Sequence, residues 1–143
     1  MLYGFSDRRQ EARGERQEVK EISKGGFRQL LVWQRSKDSA VSVYKVTGQG
    51  EIARDFGLRD QMRRAAVSVC SNIAEGDERN TDKESVRFFY MAKGSLAELI
   101  TQLEIANEIG YLSQEHKIYL ENECTNIANM LGALIKSRSL NNI

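Results

Sequence analysis

The feature that most constrains this chain is an apolar spacing that alternates threes and fours, with no proline anywhere to interrupt it. Phe89, Ala92, Leu96, Leu99, Leu103 and Ala106 recur at that interval, and Leu120, Cys124, Ile127, Leu131 and Leu134 repeat it. A mean step of about 3.5 residues places all such positions on one side of an α-helix, the seam of a rod packed lengthwise against other rods. A strand would need alternate residues on one face, and no segment here shows that period.

Local signals set the ends of these rods. Thr81-Asp82-Lys83-Glu84 reads as a capping box opening a third helix, with the Thr81 hydroxyl accepting from a backbone N–H that the helix itself leaves without an acceptor. Gly110 fits the left-handed stop of that helix, and Ser113 can cap a fourth that runs to near Lys136. Upstream, Leu30, Leu31, Val32, Trp33, Ala40, Val41, Val43, Tyr44 and Val46 form one broad apolar side of a first helix, which stops near Gly48-Gln49-Gly50. A second helix is expected from about Leu58 to Glu75, with Met62, Ala65, Ala66, Val69, Cys70 and Ile73 at steps of three and four. Glu51 to Asp55 is either its first turn or a separate short one. Four helices with short joins fold most simply as an all-α, antiparallel, up-down-up-down four-helix bundle, with helices crossing at roughly 20°.

A chain of 143 residues fits one domain. The bundle is expected over residues 27–140. Residues 1–26 form a polar N-terminal tail, because Asp7, Arg8, Arg9, Glu11, Arg13, Glu15, Arg16, Glu18, Lys20 and Glu21 alternate in sign with almost nothing apolar to offset ordering entropy. Overall, 21 Lys and Arg against 20 Asp and Glu leave a net charge of +1, too little for a protein-wide field that attracts phosphates. No apolar run approaches the ~20 residues that cross a bilayer, so a cytoplasmic protein without membrane contact is expected. Cys70 and Cys124 sit among apolar residues and are expected to be reduced core thiols, and with one His no zinc-spaced ligand cluster exists.

Several runs then fall in a specific order: Arg63-Arg64-Ala65-Ala66-Val67-Ser68, Asn72-Ile73-Ala74-Glu75-Gly76, Glu84-Ser85-Val86-Arg87-Phe88-Phe89-Tyr90, and Ala92-Lys93-Gly94-Ser95-Leu96-Ala97-Glu98. Together with Val32-Trp33-Gln34 and Tyr44-Lys45, they make the chain resemble the 23S ribosomal RNA intervening-sequence protein family, over about Phe27 to Leu112. The resemblance implies an antiparallel four-helix bundle that assembles into homo-oligomeric rings, commonly pentamers. A related bundle is the accessory protein of diversity-generating retroelements, which implies nucleic acid or a reverse transcriptase as partner classes. Two positions depart from the family pattern. Gly48-Gln49-Gly50-Glu51 replaces a Phe-Pro and acidic segment, and Lys93 stands where the family favours Arg, keeping the charge without the planar fork.

Catalytic chemistry has little foundation in these residues. His116 falls in the first turn of the fourth helix and reads as a solvated residue, and neither Ser68 nor Ser71 has a base at a helical neighbour position. No enzymatic activity, cofactor, metal or small-molecule substrate is expected. Two kinds of surface remain. A polar stripe on the second helix includes Asn72 and Glu75, and with Lys93, Gly94 and Ser95 of the third helix it forms the candidate interface between helices or subunits. Arg59, Arg63, Arg64, Arg79, Lys83 and Arg87 form the candidate nucleic-acid contact, although Asp55, Asp60, Asp77, Glu78, Asp82 and Glu84 lie among them. The expected role is a non-enzymatic oligomeric scaffold or adaptor; the alternative is an RNA-binding accessory protein acting with a reverse transcriptase or ribosomal RNA.

Overall fold

The computed structural model describes residues 26–140. The tail expected over residues 1–26 therefore lies outside the described residues except for Gly26. Four α-helices follow in order: α1 (Leu31–Thr47), α2 (Phe56–Asp77), α3 (Asp82–Glu108) and α4 (Gln114–Leu140). Short 3-10 turns at Gly26–Gln29 and Glu51–Arg54 flank α1, and no strand occurs among the described residues. Each helix packs against its neighbours in sequence, and α1 closes the bundle against α4. With connections this short, successive helices run antiparallel.

The seam is where the spacing places it. Phe89, Leu99, Leu103, Leu120, Ile127 and Leu131 are at most 2% exposed, and they meet Val43, Met62 and Ile73 from α1 and α2. Burying a side chain of this size contributes about 1.5–3 kcal/mol each, before entropy is subtracted. Val32 also enters this core, while Trp33 packs its ring 5.1 Å from Phe27. Gln34 completes that motif by donating from Nε2 to the Arg28 carbonyl at 2.7 Å, which fixes the 3-10 turn on the start of α1.

The caps follow local chemistry. Thr81 Oγ1 accepts from the Glu84 N–H at 3.2 Å, and Ser113 Oγ accepts from the His116 N–H at 3.1 Å. Gly110 has φ of 90°, the left-handed geometry that L side chains resist. Glu51–Arg54 proves to be a separate turn, and α2 begins at Phe56, two residues before Leu58, because Asp55 caps it by accepting from the Leu58 N–H at 3.2 Å.

Three details differ from the sequence reading. Val41 and Tyr44 face outward rather than inward, because the buried side of α1 is Val32, Ser36, Ser39, Ala40, Val43 and Thr47. Cys70 is only half-buried, whereas Cys124 is in the core; both are free thiols. Finally, α4 continues past Lys136 to Leu140 and carries Arg138 into the interior.

Candidate functional site

The basic residues separate into two groups at opposite ends of α2, since the sixteen positions from Arg63 to Arg79 span about 24 Å of helix. Within each group the charges have different employment. Arg63 donates from Nε to Thr47 Oγ1 at 2.9 Å and from an Nη to the Tyr44 carbonyl at 3.3 Å, and its guanidinium lies 4.4 Å from the centre of the Tyr44 ring. It thereby seals the C-terminal end of α1, whose last carbonyls have no helical partner. Arg59 pairs with Asp60 at 2.9 Å, donates to the Ala53 carbonyl at 3.0 Å and stacks 4.6 Å from the exposed Phe56 ring. Arg79 pairs with Glu75 at 3.2 Å and sits 4.3 Å from the Phe88 ring centre. Arg64, Lys83, Arg87 and Lys93, by contrast, are exposed.

The polar stripe of α2 is partly an internal fastening. Asn72 donates to the Ser68 carbonyl at 2.9 Å and to Ser68 Oγ at 3.1 Å, and Ser95 Oγ donates to Ser68 Oγ at 2.9 Å. This chain of hydrogen bonds crosses from α2 to α3 and fixes their register. Asn72 and Ser95 are therefore brought together, while Glu75, Lys93 and Gly94 lie outside them and are exposed. Nothing lies within 4 Å of the Cβ that Gly94 lacks. Its place in a helix interior costs about 1 kcal/mol relative to Ala, and no contact within the chain offsets that cost.

A different glycine makes the intramolecular close approach. A Cβ on Gly76 would stand 2.6 Å from Phe89 Cε1 and 3.1 Å from Phe88 Cβ. Ser85 Oγ donates to the Gly76 carbonyl at 2.6 Å, clamping the start of α3 onto the end of α2. Beside it, Arg138 reaches in from α4 to Asp77 at 3.2 Å and Asp82 at 3.7 Å, with its guanidinium 5.3 Å from the Phe89 ring. Arg138 is 2% exposed and Asp77 8%. Nothing in the residue pattern points to this cluster, because Arg138 follows the last apolar seam position in a polar run.

At the other end of the bundle, Tyr111 donates its hydroxyl to Asp55 Oδ2 at 3.1 Å, tying the α3–α4 turn to the cap of α2. That hydrogen bond, followed by partial desolvation, raises the Tyr111 phenol above its ordinary pKa. An open hollow of about 450 Å³ is lined there by Glu51, Arg54, Asp55, Phe56 and Tyr111. Across α3 and α4, Lys117 bonds Glu104 at 3.1 Å and lies 3.6 Å from Glu121, and its hydrogen bond holds the Glu104 carboxyl below its ordinary range. His116 is exposed, and no group of three or more His, Cys, Asp or Glu residues among those described could hold a metal ion. No helix among the described residues is long and apolar enough to cross a membrane.

The sequence that builds this bundle also matches a known pattern: residues 28–133 fit the model of the 23S rRNA-intervening sequence proteins. The chain belongs to that family. A crystal structure of a protein of unknown function, from the S23 ribosomal protein family of Bacteroides thetaiotaomicron, has the same fold, with a TM-score of 0.69 at 23% identity. The similarity covers 74% of this chain and 99% of that one. Among curated proteins, none matches. The matched range spans Ser68, Asn72, Gly76 and Ser95, whereas Arg138 lies beyond its end.

The two thiols give a direct check on the packing. Burial, then the carboxylates of Glu121 and Glu123, pushes the Cys124 thiol up to about 12, and burial also raises Cys70. At pH 8 only roughly one Cys124 in ten thousand is thiolate, the reactive form. Titration with a thiol reagent at pH 8 is therefore expected to label Cys70 slowly and leave Cys124 unmodified until denaturant is added. Rapid labelling of both in the native protein would contradict the packing of α4.

Proposed function

We propose that this protein is a non-enzymatic, oligomeric scaffold or adaptor that acts in the cytoplasm through the outward surfaces of its helices. The observation that carries this reading is the unused outer side of α3. Tyr90, Met91 and Ile105 are 45–58% exposed there, and Gly94 sits among them with open space where a side chain would be. Single exposed apolar residues are ordinary, but an aromatic, a thioether and a branched aliphatic side chain sharing the outer side of one helix with an interior glycine favour a partner. Assembly into a ring, as in the family pattern, would use surfaces of this kind. Light scattering after size exclusion tests the reading: a mass several times that of one chain is expected, and a strict monomer at tens of micromolar would overturn it.

A second reading, contact with RNA, is favoured by one observation: Arg64, Lys83, Arg87 and Lys93 remain exposed while Arg59, Arg63 and Arg79 are engaged within the fold. Such contact is electrostatic and weakens steeply with salt. Neutralising Arg64, Lys83 and Arg87 together is expected to abolish binding to a single-stranded RNA probe in 50 mM salt without lowering thermal stability. Binding that survives in the triple variant, or that ignores salt, would remove this reading.

A further inference from the structure

The outer groove between α1 and α2 is apolar in its middle and basic toward one end. Its register is set by contacts at two levels: Arg63 donates to the Tyr44 carbonyl, and burial raises the Cys70 thiol while the Lys37 ammonium lies close enough to oppose that rise. Lys37, Val41 and Tyr44 follow in steps of four and three along α1, and Arg63, Val67 and Cys70 do the same along α2 in the opposite sense. Val41 and Val67 therefore stand level across the groove. With Tyr44 they are 40–46% exposed, an apolar floor that nothing in the chain covers. At the Tyr44 end Lys45 is exposed, and Arg63 bonds the neutral Thr47 hydroxyl and Tyr44 carbonyl. Lys37 at the other end bonds Asp38 at 2.8 Å, in a pair exposed on both sides that contributes little.

The second half of α3 carries the complement on its outer side. Gly94, Glu98, Thr101, Ile105 and Glu108 follow in steps of four and three, and all five are exposed. Ile105 and Ile109 are its bulky apolar groups, 46% and 54% exposed. From Gly94 to His116 the chain holds no Lys or Arg, so the charge of this stripe is wholly acidic. Glu104 is turned to Lys117 and is not counted in it. The stripe and the groove also lie on opposite sides of the molecule, because α1 and α3 each pack on α2 and α4 and stand diagonally across the bundle. One chain cannot bring them together.

We infer that the groove between α1 and α2 of one copy receives the outer side of α3, residues 94–109, of the next copy. Ile105 enters between Val41 and Val67 as a knob between two helices. Glu108 stands about 4.5 Å further along α3, and Lys45 about 6 Å beyond Val41, so the carboxylate falls beside Lys45 and Arg63 when the two helices run in the same direction. Glu98 then lies beyond Lys37, within reach of its long side chain. Burial of the knob supplies the attraction, and the charges set direction and register. Because the two surfaces differ, each copy keeps one of them for a further copy. The contact is therefore head-to-tail, the kind that closes into a ring where its rotation allows. This pairing rests on the oligomeric reading above and gives the outer side of α3 its counterpart.

Cysteines and charges test it on the full chain. In a Cys70→Ser background, a chain carrying both Val41→Cys and Ile105→Cys is expected to oxidise to a ladder of covalent multimers. Either cysteine alone should give none, since the two positions meet only between different copies. In parallel, Lys37→Glu/Lys45→Glu and Glu98→Lys/Glu108→Lys are each expected to cut the mass seen by light scattering to that of one chain, and all four substitutions in one chain to restore the wild-type mass. These side chains are exposed, so far-UV circular dichroism should keep the wild-type helical signal. The pairing is overturned if the double-cysteine chain forms no ladder, if either single cysteine forms a dimer, or if either charge-reversed variant keeps the wild-type mass. Should Lys37→Glu/Lys45→Glu keep its mass yet lose the single-stranded RNA probe, the groove belongs to nucleic acid and the pairing also falls. Such results with an oligomeric wild type sink this pairing alone, whereas a monomeric wild type sinks the scaffold reading with it.

Discussion

Replacing Arg138 with alanine is expected to destabilise the protein by about 3–5 kcal/mol, the scale on which breaking one side of a buried ion pair is felt. In a domain of this size that lowers the melting temperature by at least about 10 °C. The cause is the carboxylate left behind. Asp77 is 8% exposed and ends α2, where the helix field already disfavours a negative charge, and Arg138 brings it a counter-charge from α4. Asp82, the second partner, lies nearer the surface and can be hydrated instead. Removing the charge as well should repair much of the damage, so Asp77→Asn/Arg138→Met is expected to melt well above Arg138→Ala. A double variant no more stable than the single one would show that the guanidinium matters for its packing on Phe89 rather than for its charge.

The second large effect is expected at Gly76. Adding one methyl group there places a carbon 2.6 Å from the Phe89 ring. That ring is fully buried beneath the Arg138 guanidinium and cannot swing aside. Overpacking of this kind costs about 1–3 kcal/mol, which outweighs the roughly 1 kcal/mol that alanine would gain over glycine in a helix. Gly94→Ala makes the informative contrast. Open space surrounds that position within the chain, so the same substitution is expected to stabilise by up to about 1 kcal/mol. Denaturant midpoints at matched protein concentration should move in opposite directions for the two variants. Equal shifts would mean that the close approach of α2 and α3 is not as tight as described.

What could be read from the residues depended on how far apart the interacting groups lie. Thr81, Ser113 and Gly110 were legible because each acts on backbone within a few residues of itself. The seams of α3 and α4 were legible because their residues are apolar. The seam of α1 was blurred because Ser36 and Thr47 occupy buried steps, their hydroxyls satisfied by the carbonyls of Val32 and Val43 at 2.7 Å. Val41 and Tyr44 then looked like core while pointing outward. Arg138 was illegible for the opposite reason, since the carboxylates that receive it, Asp77 and Asp82, stand on other elements, Asp77 61 residues earlier. Among the candidate site residues, Asn72 and Ser95 proved to be joined through Ser68, a link that no spacing on either helix alone reveals. Arg59 and Arg63 could not be told from free surface cations until Thr47, Tyr44 and Phe56 were placed beside them.

Only residues 78–81 separate α2 from α3, so Gly76, Ser85 and Phe89 meet after a very small loop has closed. The entropy of closing a loop grows with its length, and this hairpin is accordingly the least costly tertiary structure available to a chain leaving the unfolded state. The contact of α1 with α4, by contrast, must wait until the two ends of the bundle sequence find each other. The clamp at Gly76 thus belongs to the earliest part of the folding route, where a misfit would slow the search for the native state rather than merely hasten its loss.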